Sequence, residues 1–237
     1  MRKFAVQFMP KKTAQLSGGG DMAMATTAAA TTTTTKTTGG AGIPGTRTAL
    51  SLNQKPARRP DPIILLSPSA SSLLRMSNAR SFLEGGKFVP ADNAASMPNL
   101  LHLSRLLRDI DPVRPMRFVL VESAEQFKPE YWNRVVAVFT TGQAWQFKNY
   151  KWSSPAELFT RIPGVFLGWR GDQLPEAVRA WGQRILHVAV DRWRDAVPGA
   201  VETIRFRDKE VVEQIWRTIE LGMLARGWRR DSGPIPA

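Results

Sequence analysis

Cysteine is absent from this chain of 237 residues, and histidine occurs only as His102 and His187. The first absence excludes a disulfide scaffold, a Cys-ligated zinc or iron–sulfur site and a thiol nucleophile. The second excludes a multi-histidine metal site. No apolar run approaches the roughly 20 residues of a membrane-spanning helix, so no membrane partner is expected. Acidic residues are nearly missing from the first quarter of the chain. Residues 1–60 hold nine Lys/Arg against one acid, Asp21, for a net of +8, more than half of the total of +13. All eight Trp lie in the remainder. Composition therefore separates a basic, core-poor segment from a core-rich domain.

The first segment contains Gly18-Gly19-Gly20, a Thr/Ala tract from Ala25 to Thr38 and Gly39-Gly40-Ala41-Gly42. Such a stretch buries too little to offset its ordering entropy, so residues 1–60 read as a disordered basic tail or linker. A mitochondrial transit peptide is the other reading of its acid-poor start. The repetition and the lack of a regular Arg face favour the linker. Lys55, Arg58 and Arg59 make a short basic run, read as a solvated linker end rather than a nuclear-import or phosphate-contact element. Residues 231–237 read as a disordered end.

Between them, residues 61–230 alternate strands with helices. Ile63–Leu66 and Arg117–Val121 are short apolar runs typical of strands buried on both faces. Arg134–Thr141 is the strongest strand signal. Val135, Ala137 and Phe139 point one way and Val136 and Val138 the other, which makes it central and covered on both sides. Val165–Leu167 and Ile185–Val190 are further strands. Helices are expected from a Ser77 cap to Glu84, from Pro98 to Leu107, over one turn at Lys128–Trp132, from Ser153 or Ser154 to Arg161, and from an Asp208 cap to about Arg226. The last carries Val212, Ile215, Ile219 and Met223 on one stripe. The alternation predicts a layered α/β domain with a mostly parallel central sheet flanked by helices.

Catalytic motifs are missing. The turn after the first strand, Ser67–Leu74, has neither the Gly nor the Lys of a phosphate-cradling loop, and Pro68 removes a backbone donor. No Asp has a Gly three residues later, Asn-Lys-x-Asp does not occur, and residues 61–230 hold no G-x-G-x-x-G. There is no G-x-S-x-G elbow. His187 reads as a strand histidine with a satisfied partner rather than a general base, and Asp109 and Asp111 as a solvated turn. No catalysis and no cofactor are expected.

The run Trp132–Trp152, WNRVVAVFTTGQAWQFKNYKW, is distinctive. A Trp shortly before Arg-Val-Val-Ala-Val-Phe, then Gly142, then Ala-Trp-Gln-Phe-Lys resembles the C-terminal domain of the parafibromin family, the cell-division-control subunits of the polymerase-associated factor (PAF) complex. Asp61–Leu66, Asn78-Ala79 and Lys87–Pro90 extend the likeness over about residues 61–230. The resemblance implies a Ras-like fold without nucleotide binding. It also implies a nuclear protein that works with the other PAF subunits in transcription elongation. Its expected partners are RNA polymerase II, elongation factors and chromatin, through recognition of phosphorylated repeats in the polymerase tail and in an elongation factor. Support for histone modification and RNA 3′-end processing follows through the complex. Family members carry a long N-terminal region where this chain has only residues 1–60, so the resemblance leads to the expectation of a fragment or a truncated gene product. The stretch 91–116 is also short beside the family's variable insertion.

A reader of phosphorylated repeats needs Arg or Lys donors beside an aromatic shelf. Ligands of open α/β sheets sit outside the carboxyl ends of the strands. The loop Gly142–Trp152 leaves that end of the central strand, so Trp145, Lys148, Lys151 and Trp152 are the candidate binding residues. Arg75 joins them if the first strand and Arg134–Thr141 are parallel neighbours. Arg134, at the opposite end of its strand, is a weaker sixth. The opposing reading makes Trp145 and Phe147 core anchors and the two lysines plain solvated charges. Two other functional readings are nucleic-acid binding through the basic tail and a phosphate-independent protein scaffold.

Overall fold

The computed structural model describes residues 59–92, 98–193 and 205–235. The expected disorder of the tail, and Lys55 and Arg58 of the basic run, lie outside them. Six strands form one sheet: β1 (Ile63–Leu65), β2 (Leu100–Arg105), β3 (Met116–Val121), β4 (Val135–Thr140), β5 (Gly164–Trp169) and β6 (Ile185–Val190). Their order is β2-β3-β1-β4-β5-β6. Every pairing is parallel except β2 with β3. The helices are α1 (Met76–Leu83), α2 (Pro155–Arg161), α3 (Glu176–Ala180) and α4 (Phe206–Ala225), with 3-10 turns at Pro129–Arg134, Ala144–Phe147 and Gly182–Arg184.

All six residues of β4 are buried. Such a strand needs apolar cover on both faces, and the core divides accordingly. On one face α1 and α4 bring Phe82, Leu83, Val212, Ile215, Trp216 and Ile219 against Ile64, Phe118, Leu120 and Val136. On the other α2 and α3 bring Leu158, Phe159 and Val178 against Ile63, Leu65, Val135 and Val138. The alternation expected along β4 breaks once. Ile63 pairs with Val135 but Ile64 with Ala137, so Val136 is an extra residue in the ladder. This bulge sends Ala137 to the face of Val136 and Phe139, not to that of Val135.

Residues 98–107 differ from expectation. They form strand β2, antiparallel to β3 from Leu100↔Val121 to Arg105↔Met116. Leu101 and Leu103 face inward while Leu100, His102 and Ser104 are exposed. The Leu spacing suits a helix locally, but β3 would otherwise leave a row of backbone donors and acceptors unpaired, and the ladder satisfies them. Two caps also differ. The residue before α1 is Arg75, and its N–H donates to the Asn78 side chain at 2.9 Å. Ser77 lies inside the helix. Asp208 lies within the first turn of α4, buried, and accepts the Phe88 N–H at 2.8 Å. His187 is exposed on the edge strand β6 and has no hydrogen-bond partner among the described residues.

The two ends of the domain are tied together. Arg59 donates Nη1 to the carbonyls of Arg229 and Arg230, at 3.1 and 2.7 Å. The last member of the basic run is thus a clasp rather than a free linker charge. Residues 231–235 run back along the end of α4, where the Ile235 N–H donates to the Arg226 carbonyl at 3.1 Å.

Asn78 is fully buried, and its side-chain amide donates to the carbonyls of Leu73 and Val89, both at 2.8 Å, while its oxygen holds the Arg75 N–H. One amide thus fixes the turn after β1, the start of α1 and the segment after it. Asn78→Ala leaves three partly buried polar groups without partners and is expected to cost about 3 kcal/mol, read from urea unfolding. Asp208 has its pKa raised, first by burial, with the Phe88 N–H and Arg205 opposing. An acid with a raised folded pKa holds its proton more tightly folded than unfolded. Stability from this group is therefore greatest below the ordinary carboxylate range and declines as pH climbs through the raised value. Urea midpoints measured from about pH 4 to about pH 8 should show that decline, and Asp208→Asn should flatten it.

Candidate functional site

β1, β3 and β4 run parallel, so the chain leaves Leu65, Val121 and Thr140 at one edge of the sheet. The turn after β1 directs its hydroxyls inward. Ser67 is fully buried and donates Oγ to Gln146 Oε1 at 3.1 Å. Gln146 in turn donates Nε2 to the Phe139 carbonyl at 2.7 Å. The hydroxyls of Ser69 and Ser71 bond to each other at 2.8 Å. Gln146 therefore closes the place beside β1 where a phosphate loop would open.

Arg75 does emerge at this carboxyl edge, because β1 and β4 are parallel neighbours. Its Nε lies 3.3 Å from Glu122, which also accepts the Met76 N–H. An anion here would have to displace a carboxylate. Trp145 is on the same edge, 53 % exposed, with its indole N–H directed to the Gln143 side chain. Trp145 is not a core anchor, whereas Phe147 is. Its fully buried ring meets Tyr150, Phe159 and Trp181 edge-on at 5.6–5.7 Å.

The loop then crosses to the opposite edge. Tyr150 and Trp152 pack on Trp132, with ring centroids at 5.2 and 5.9 Å, and Trp132 precedes β4. Trp152 carries two cations: Lys151 Nζ lies 4.8 Å and the Arg161 guanidinium 5.2 Å from its ring centroid. Arg134 is on this amino edge too. It donates Nε and Nη2 to the Asp61 carbonyl at 2.9 and 2.6 Å and lies over Tyr131. Lys148 is exposed and forms no ion pair among the described residues. The six candidate residues thus do not share one surface. Arg75 and Trp145 are at the carboxyl edge. Lys151, Trp152 and Arg134 are at the amino edge, and Lys148 is in the segment between.

The two edges each carry a hollow. At the carboxyl edge a cleft of about 450 Å³ lies between Ser71, Thr141, Trp169, Asp172, Pro175 and His187. At the amino edge a groove of about 920 Å³ runs between the ends of α2 and α4, and Trp132, Trp152 and Phe159 are among its walls. Its cations are Lys151, Arg161, Arg184 and Arg226, and among the described residues no carboxylate lines it. Three of these were not legible in the sequence. Arg161 and Arg226 could have been flagged by their positions at helix ends, while Arg184 carries no local signal. Arg226 donates Nη1 to the Val135 carbonyl at 2.6 Å and Nε to the Gly222 carbonyl at 3.3 Å. Burial alone lowers its pKa to about 10, and Nη2 finds no acceptor. Burial likewise raises the pKa of Tyr150, against a hydrogen bond from Gln146.

Residues 58–222 match the family described as RNA polymerase II accessory factor, Cdc73 family, C-terminal. The chain is 41 % identical over 173 residues to Cell division control protein 73 of Saccharomyces cerevisiae, a match covering 72 % of this chain and 40 % of that protein. It is 45 % identical over 178 residues to Cell division control protein 73 of Schizosaccharomyces pombe, covering 72 % and 44 %. The chain therefore spans less than half the length of these relatives. A solved structure, the conserved domain of yeast Cdc73, superposes with a TM-score of 0.62 at 41 % identity, covering 71 % of this chain and all of that one. The mostly parallel sheet between two helical layers is the Ras-like architecture of that domain. With the motif of residues 132–152 and the match over 58–222 in agreement, the chain belongs to the Cdc73 family and carries its C-terminal domain.

Proposed function

We propose that this domain is a non-catalytic interaction module of the PAF complex that binds phosphorylated repeat peptides. In this role it helps tether the complex to RNA polymerase II, elongation factors and chromatin in the nucleus. Membership of a family of polymerase accessory factors supports the setting. The observation that carries the recognition chemistry is the Trp152 ring with Lys151 and Arg161 over it, an aromatic shelf flanked by donors. A phosphoserine brings roughly −1.5 to −2 charges and three acceptor oxygens. Charge-assisted bonds to it are about twice as strong as neutral ones. The inward-bonded turn after β1 is in keeping with recognition by the exterior rather than by a bound nucleotide.

The excess of nine Lys/Arg over one acid in residues 1–60 supports a second reading, nucleic-acid binding through the tail. One titration separates the two. Lys148→Glu with Lys151→Glu is expected to weaken a phosphorylated repeat peptide about tenfold while the domain stays folded. Deletion of residues 1–60 should leave that affinity intact. Equal binding of phosphorylated and unphosphorylated peptide makes the domain a phosphate-independent scaffold. Binding of an oligonucleotide that tail deletion abolishes favours the second reading.

A further inference from the structure

We infer that the amino-edge groove is the phosphate-accepting subsite, with Arg226 at the phosphate and Arg184 and Lys151 flanking it. This deepens the phosphopeptide reading and rests on it. The starting point is charge. Among the described residues four cations and no acid line one hollow, and Lys151, Arg184 and Arg226 make no ion pair. Arg161 alone has a carboxylate, Glu157 at 3.5 Å, in an exposed pair that a dianion can outcompete. Arg226 is the telling member. Its guanidinium is held by the carbonyls of Val135 and Gly222, so its fork is fixed, while Nη2 is buried and unused. A cation removed from water without a counter-ion is what an anion site requires before its anion arrives.

The walls specify the rest of the ligand. Trp132, Phe159 and Ile235 are apolar, and at about 920 Å³ the groove exceeds what a phosphate fills. It leaves room for aromatic or proline side chains on either side of the modified residue. Convergence on one hollow also separates a peptide from a nucleic acid. A phosphate monoester brings close to two charges to one point, whereas a nucleic-acid backbone spreads single charges along a stripe.

The test follows indole N–H signals of the 237-residue chain by NMR. The probe is a phosphoserine peptide with tyrosine and proline beside the phosphate, compared with its unphosphorylated twin and a single-stranded oligonucleotide. Saturable shifts at Trp132 and Trp152 are expected for the phosphopeptide only. The buried Trp216, bonded to the Leu83 carbonyl, should stay still and report an intact fold. Arg184→Glu, at an exposed position, should weaken binding about tenfold, and Arg226→Lys should weaken it while keeping the charge. Shifts confined to Trp145 would overturn the groove and leave phosphopeptide recognition standing at the other edge. Equal shifts with the unphosphorylated twin, or no peptide binding at all, would overturn both. Tighter binding of the oligonucleotide at Trp132 and Trp152 would replace the peptide as occupant.

Discussion

β4 can be stable only if apolar cover reaches it from both sides, because all six of its residues are buried. That requirement sets the layering. α1 and α4 occupy one face and α2 and α3 the other. The bulge at Val136 lets the strand serve both clusters unequally, with three residues toward the α4 face and two among the Phe147 cluster. A charged residue anywhere in β4 would break one of the two layers rather than a local contact.

The same requirement determines where the recognition chemistry can lie. The chain leaving β4 must cross from the carboxyl edge to the start of α2, and its aromatics cover the sheet as it goes. Phe147 inserts between α2 and α3, Tyr150 and Trp152 lean on Trp132, and Gln146 turns back to seal the β1 turn. Once these are fixed, Trp145 is left at one edge and Lys151 at the other. Sealing the β1 turn and filling the amino edge with cations are two results of one loop path.

How much of this the sequence disclosed depends on range. β1, β3, β4 and β6 were legible because each is a short apolar run whose neighbours in sequence bound it. β2 was not, since the leucines at 100, 101, 103, 106 and 107 satisfy a helical period as well as an alternating one, and the open edge of β3 decides between them. The motif 132–152 carried the family likeness, and the edge of each residue followed only from how Phe147 and Trp132 pack. That Arg184 and Arg226 share one groove was hidden for a stronger reason. They stand 42 residues apart by their numbering, and their meeting in one groove is produced by α4 crossing the starts of the strands.

Arg205, buried, and Arg226, partly buried, have their charges met in different ways. Arg205, 5 % exposed, has Asp208 at 3.4 Å and the rings of Phe88 and Trp193 beneath it. There a carboxylate answers the cation, and Asp208 is further held by the Phe88 N–H. Arg226 has carbonyls alone. Carbonyl dipoles at a helix end orient a guanidinium and lessen its desolvation, but they do not cancel its charge. Depression of its pKa by burial, with no opposing charge to raise it, is the signature of that difference. The fold supplies an internal carboxylate at one site and leaves it out at the other, and the positive potential retained there is what the proposed phosphate subsite requires.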